Sequence, residues 1–419
     1  MKNFLSRHRI LLYNPMLVYL FILVGIGLIG IHSAYPNAVL QYPNASTFVF
    51  RQLLNFSVGL VAMGGVLIVG IDRIRVLNWY LYGILMVLLV GLVFHQRGFP
   101  IVPFSHAAGG AARWYQFPGF TMQPAEFMRF ILIMMVGDII QKHNYSHPHA
   151  RRTSKTDAML ILKSVAVIIA PTVLIYLQPD SGTAIFILLT TAVMLLVGGV
   201  QWRYILTVAL GLGLVLGTFL YIAYYYPQFL IDVVGIEAYR VGRFNGWFDP
   251  FGTFSGDGNQ LARGLVLIGS GGMFGNGMQA AVWFVQEAHT DYIFSTLASD
   301  FGFMGAMAIL IVYGLFMFEI INTAVLNRGH FNSFVCSGIF ASLIAQLFWN
   351  MGMNVGLLPI SGVTLPFVSY GGSSMLATMI MLGLVLSSYV EGAKIKHTDS
   401  NYRERILYLK TKAYLKDEK

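Results

Sequence analysis

Met16-Leu17-Val18-Tyr19-Leu20-Phe21-Ile22-Leu23-Val24-Gly25-Ile26-Gly27-Leu28-Ile29-Gly30-Ile31 holds no charge, and Lys2, Arg7 and Arg9 precede it. The apolar run 16–34 is long enough, as a helix, to cross a bilayer core. It exceeds the core of a cleavable signal and no processing site follows, so it reads as a retained span with its basic flank in the cytoplasm. Comparable runs follow at 52–71, 77–94, 123–140, 159–177, 182–200, 204–226, 303–323, 333–352 and 372–391. Composition agrees: of 419 residues, 56% are hydrophobic and 11% charged, against about 25% charged in soluble proteins. A water-soluble fold is excluded. The expected architecture is an all-α polytopic membrane protein with about ten transmembrane helices. Both termini are expected in the cytoplasm, with a large extracellular loop, 227–302, between helices 7 and 8. Residues 1–391 read as one transmembrane domain and 392–419 as a basic cytoplasmic tail.

The formal charge of +9 is mainly topological. With the N-terminus inside, every lysine falls on the inner side, and the outer cations are Arg51, Arg97, Arg113, Arg240, Arg243 and Arg263. This is the positive-inside pattern, so no nucleic-acid partner is implied. The outer arginines suit carboxylate or phosphate, which their planar fork grips through two bonds, or reflect chance sampling of a few positions. Ile406, Leu407, Leu409, Tyr414 and Leu415 among the tail's cations read as an anchor to membrane lipids. The lone Cys336 excludes an intrachain disulfide and argues against thiol catalysis. The histidines of 143–149 read as a solvated loop in preference to a metal site.

Two outer segments are too polar for plain connectors. The first, 95–122, leads through Arg113-Trp114 to Gln123-Pro124-Ala125-Glu126-Phe127-Met128-Arg129. Pro124 and Glu126 suit a helix start. Glu126 and Arg129 share one face, either as a charged wall of an outward cavity or as a structural ion pair. The second, 227–302, contains the glycine-rich 269–277, a weak phosphate-loop signal, and Glu287-Ala288-His289-Thr290-Asp291-Tyr292-Ile293-Phe294. Burial beside Tyr292, Ile293 and Phe294 would raise the pKa of Asp291 toward that of a useful general base, with helix capping the competing reading. Near the C-terminal end, Pro359 and Pro366 bracket an apolar hairpin that leads to Ser369-Tyr370-Gly371-Gly372-Ser373-Ser374. It reads as a lipid-access groove or as a re-entrant packing element.

Taken together these residues resemble the SEDS (shape, elongation, division and sporulation) family, which includes RodA, FtsW and SpoVE. The resemblance rests on Arg113-Trp114, Gln123-Pro124-Ala125-Glu126, 178–184, 269–272, 289–294 and 365–374, in the family's order and across nearly the whole chain. It implies a peptidoglycan glycosyltransferase of the bacterial cytoplasmic membrane, active on the outer face. Such an enzyme polymerises lipid II beside a class B penicillin-binding protein and other elongation or division proteins. The family's essential aspartate falls on Asp291. Arg113, with Arg243 and Arg263 as helpers, would stabilise the leaving pyrophosphate. Trp114, Gln123, Glu126, Arg129, His289, Thr290, Ser369, Gly371 and Gly372 are the remaining expected substrate contacts. No cofactor is required, and a divalent cation, magnesium or manganese, is compatible with the pyrophosphate.

This sequence departs from the family pattern at Ala125, Arg129, Tyr292 and Ser299-Asp300. Arg129, where lysine is usual, changes donor geometry while keeping charge. Competing readings are a flippase for the lipid-linked precursor and a non-catalytic scaffold. Residues 269–272 and 354–359 lean toward the elongation type.

Overall fold

The computed structural model describes residues 14–99, 102–108, 110–147, 153–233, 235, 238–280 and 283–417. The basic N-terminal arm, Gly109, Pro148, His149, Arg151, Arg152 and Glu237 lie outside the described residues, as do the side chains of Arg240 and of the tail from 395 onward. Each of the ten apolar runs has a helix. They are α1 (Pro15–Ser33), α3 (Phe48–Val69), α4 (Ile71–Gln96), α5 (Pro124–Ser146), α6 (Ser154–Leu177), α7 (Ser181–Val197), α8 (Trp202–Tyr225), α12 (Ile293–Leu326), α13 (Phe331–Asn354) and α14 (Gly372–Asp417). A short α2 (Tyr35–Val39) follows α1. Among the described residues, eight of the long helices are long and apolar enough to cross a membrane. Of the other two, α7 has 17 residues, and α5 carries Glu126, Arg129, Asp138 and Lys142.

Local chemistry sets the boundaries. Asn14 caps α1 by accepting the Met16 amide at 2.9 Å, with Pro15 in the first turn. Asp180 caps α7 by accepting the Thr183 amide at 3.2 Å, so the break at 178–181 divides two helices. Such caps satisfy amides that lack an intrahelical partner.

The centre of the bundle is α13, which packs on α5, α7, α12 and α14, while α14 also packs along α3. Lipid-embedded helices gain from close backbone approach, and small residues permit it. At Gly27 of α1 a Cβ would lie 2.6 Å from the Val368 carbonyl oxygen, and at Gly338 of α13 one would lie 2.6 Å from Met194 Sδ. The exception is α8, where among the described residues only Ala223, near its end, is buried. At the end opposite the large loop, Asp138 of α5 is bridged by Arg75 of α4 and by Lys142 at 2.6 Å. The backbone of α14 continues without a break into the tail.

Three features depart from the sequence reading. The segment 95–122 is not purely irregular: β1 (Ser105–Ala108), β2 (Ala111–Phe117) and β3 (Phe120–Met122) form an antiparallel sheet in the order β1-β2-β3. Gly110 and Gly119, both with positive φ, make its turns, a conformation glycine adopts freely. The loop 227–302 holds α9 (Pro227–Asp232), α10 (Ala238–Phe248) and α11 (Asn259–Ser270). Finally, α12 begins ten residues before the expected 303 and is broken at Gly302 (φ 66°, ψ −165°). The glycine-rich turn after α11 repairs that break. Phe303 and Met304 amides donate to the Gly272 and Met273 carbonyls (2.9 and 3.1 Å), and the Asn276 and Gly277 amides donate to Ser299 and Asp300 (2.9 and 3.1 Å). Residues 269–277 are therefore a backbone brace, which accounts for the glycines without a phosphate.

Candidate active site

Asp291 lies two residues before α12, and α13 fixes its main chain. The Asn350 and Asn354 side-chain amides each donate to the Asp291 carbonyl at 2.9 Å. Asn350 also donates to the Val363 carbonyl at 2.6 Å, which straps the 357–370 segment beside Asp291. There Gly362 has φ +68°, and a Cβ on it would lie 3.5 Å from Asp291 Oδ2. Ser369 completes the seat: its hydroxyl donates to the Thr290 carbonyl at 2.6 Å and accepts the Leu365 amide at 2.7 Å. The Tyr370 amide donates to the His289 carbonyl at 3.0 Å. The Pro359–Pro366 hairpin is thus a packing wall of the site.

Asp291 keeps a sliver of exposed surface, but protein surrounds its carboxyl. Burial and then the like charge of Glu287 push its pKa up to about 7, while Arg243 and Arg113 pull it down. Glu287 is itself clamped. Tyr42 donates to Oε1 at 2.6 Å and Thr290 to Oε2 at 2.9 Å. Its φ of +55° is unusual for a residue with a side chain and costs on the order of 1–3 kcal/mol. The twist lets its carbonyl accept both the Thr290 and Tyr292 amides at 3.1 Å. His289 is buried, with Phe48 stacked at 4.8 Å and Tyr42 edge-on at 5.4 Å. Burial lowers its pKa, which favours the neutral imidazole.

Arg113 reaches the site from β2. It donates through Nε to the Gln178 carbonyl at 3.1 Å and through Nη2 to that of Pro179. Gln123 donates to Asp180 Oδ2 at 3.1 Å, and its amide donates to Ser373 Oγ at 3.0 Å. Gly371 donates to Gln52 Oε1 at 3.2 Å, and Gly372 packs beside Asn55. Trp114 is half-buried next to Arg113, which is the extra residue of a β-bulge in β2. Arg243, in α10, donates to the Ile360 carbonyl at 3.4 Å and acts electrostatically on Asp291.

Two expected contacts are turned elsewhere. Arg263 donates to the Phe284 carbonyl at 3.0 Å and lies over Phe254 and Phe284. Arg129 is buried deeper, paired with Glu126 at 2.9 Å and bonded to Ser342 Oγ at 2.7 Å and Gln346 Oε1 at 2.8 Å. Gln346 then donates to the Thr364 carbonyl at 3.0 Å. That chain links the ion pair to the site wall and leaves it inside the bundle. Sequence reading gave no role to Asn350 and Asn354, nor to Tyr42, whose partner is 245 positions away. The two asparagines carried a signal, being polar and four apart at the end of an otherwise apolar run.

Residues 14–392 match the family described as cell cycle protein, comprising FtsW, RodA and SpoVE. The chain is 32% identical over 378 residues to the probable peptidoglycan glycosyltransferase FtsW of Saccharophagus degradans, covering 88% of this chain and 90% of that protein. It is 28% identical to stage V sporulation protein E of Bacillus subtilis, covering 89% and 95%. A chain from a peptidoglycan synthase complex that coordinates polymerization and crosslinking superposes with a TM-score of 0.69 at 25% identity, over 90% of this chain and 97% of that one. The rod shape determining protein RodA of Thermus thermophilus gives 0.59 at 25% identity, over 89% and 95%. With matching topology and motifs spread from α1 to α14, the chain belongs to the FtsW, RodA and SpoVE family, the SEDS proteins.

Proposed function

We propose that this protein is a peptidoglycan glycosyltransferase that polymerises lipid II on the outer face of the cytoplasmic membrane. One observation carries the reading: the desolvated Asp291 carboxyl, its main chain fixed by Asn350 and Asn354 at the loop end of a membrane bundle, lies within electrostatic reach of Arg113 and Arg243. Asp291 takes the proton from the acceptor's sugar 4-hydroxyl as that oxygen bonds to the donor's anomeric carbon. The carbon–oxygen bond to the lipid pyrophosphate breaks with its electron pair, so an α link becomes β-1,4 in one inverting step. Arg113 and Arg243 stabilise the charge that develops on the leaving group. A magnesium or manganese ion bound with the pyrophosphate would neutralise charge on the leaving group.

Similarity to a peptidoglycan synthase complex supports a class B penicillin-binding protein as partner, and localisation to lateral wall or septum separates elongation from division. The reading is tested with purified protein, lipid II and separation of glycan products by length. Asp291→Asn should lose about 10²–10⁴-fold in rate, the contribution of a positioned base. A folded variant with near-normal turnover overturns the assignment. A transport reading has one supporting observation, a crevice lined by Arg129, Thr190, Thr191 and Ser342 inside the bundle. Lipid movement without glycan product in the same assay would favour it.

A further inference from the structure

Three hydrogen-bond registers set the depth of the sheet-bearing segment 105–122. Tyr115 of β2 donates to the Leu88 carbonyl at 2.8 Å. Leu88 is eight residues before the end of α4 at Gln96, or about 12 Å along the helix. Independently, Asn78 donates to the Ile131 carbonyl at 3.1 Å and ties α4 to the antiparallel α5. Running back from Ile131 to the start of α5 at Pro124 covers about 10 Å, which brings Pro124 level with about residue 85 of α4. Strand β3, paired with Tyr115 through Met122, is carried to the same level. The third register is Gln178, beside Arg113, which donates to the Leu89 carbonyl at 3.0 Å.

The start of α4 holds Asp72, Arg73 and Arg75, so its apolar stretch runs from 77 to 94, about 27 Å and nearly the depth of a hydrocarbon core. The sheet therefore runs beside the upper part of that stretch, from Gln96, which donates to the Gly110 carbonyl at 3.0 Å and accepts the Ala112 amide at 2.6 Å, down to Leu88. Its strands are hydrogen-bonded to one another, which leaves only the short outer edges of β1 and β3 to be covered at that depth. It also presents phenyl rings outward: Phe117 lies 5.3 Å from Phe104 and 5.0 Å from Phe120, and the latter two are 57% and 60% exposed. They adjoin the lipid-facing side of α4, where Val87 is 73% exposed and Phe94 packs on Phe99 at 5.9 Å.

We propose that the 105–122 sheet is seated in the bilayer, with Phe104, Phe117 and Phe120 among the acyl chains of the leaflet at the loop end. Arg113 stands at the β-bulge of β2, between the paired residues Ala112 and Trp114, four residues or at most about 13 Å along the strand from Phe117. A lipid held against the phenyl rings presents its phosphate toward Arg113. This last step rests on the glycosyltransferase reading, whereas the seating does not.

The test is nitroxide labelling of Phe120→Cys and, separately, Phe104→Cys in phosphatidylethanolamine and phosphatidylglycerol vesicles. Native Cys336 is completely buried, and mock-labelled wild type controls for it. Val87→Cys serves as the lipid reference and Tyr145→Cys, 89% exposed near the opposite end, as the water reference. Oxygen collisions exceeding those of a water-soluble nickel chelate several-fold, as at Val87→Cys, support the proposal. Nickel preference as at Tyr145→Cys means that the rings line an aqueous cavity, and overturns it. So does an immobilised label shielded from both reagents, which means that a second copy or another protein covers the rings.

Discussion

At the scale of single residues, the site depends on a pair of carboxyls with different tasks. Glu287 is spoken for by Tyr42 and Thr290, so it contributes charge, and Asp291 feels that charge in a desolvated seat. In its proposed role as base, Asp291 must be ionised. Turnover should therefore rise with pH through about 7 and fall about tenfold per unit on the acid side, where the protonated form dominates. Glu287→Gln removes a like charge, lowers the pKa of Asp291 and moves that acid limb to lower pH. A kcat/KM profile across neutrality checks it, and an unmoved limb assigns the shift to burial alone. Arg113→Ala should cost roughly 10²–10³-fold in kcat, the usual loss of a donor to developing charge, with glycan synthesis as the readout. The grouping of Asp291 with Arg113 and Arg243, which act on it electrostatically, was suggested by the sequence because chemistry at a membrane surface uses few residue types. Arg263 could not be placed, since only the folded loop shows it turned onto Phe254 and Phe284.

Among elements, the site depends on α12 keeping its bend. Gly302 has dihedral angles that a residue with a side chain rarely adopts, and a Cβ there would lie 2.4 Å from the Gly275 nitrogen and 2.6 Å from the Met273 carbonyl. Gly302→Ala should therefore destabilise by more than the roughly 1–3 kcal/mol of backbone strain alone. The thermal unfolding midpoint in detergent should fall clearly, whereas Gly217→Ala, with open space around it on α8, should leave it unchanged. The helices were legible because lipid as solvent forces long apolar runs. The sheet was not: Ser105, His106, Arg113, Gln116 and Thr121 give β1–β3 a polar cast, although the backbone lies beside an apolar helix. The brace 269–277 was seen as glycine-rich, yet its partner, a broken turn of α12, exists only in the folded chain.

Across the whole molecule, Glu126 and Arg129 join α5 to α13 through Ser342 and Gln346. A buried pair is weak evidence for stability when intact and costly when half removed, about 3–5 kcal/mol. Glu126→Ala should accordingly lower the unfolding midpoint sharply. The joint change Glu126→Leu with Arg129→Met should recover most of the loss. If the double variant stays stable but loses glycan synthesis, the pair serves the reaction as well as the fold.

The unequal heights of α4 and α5 leave a step that lipid does not reach directly, because α5 is buried in the bundle. The sheet above α5 fills that step, and with Phe104, Phe117 and Phe120 seated as proposed the apolar belt of α4 continues across it. A bilayer that thinned here would strand those rings in water, and mismatch costs fractions of a kcal/mol per Å, which makes bilayer thickness an input to how this protein works.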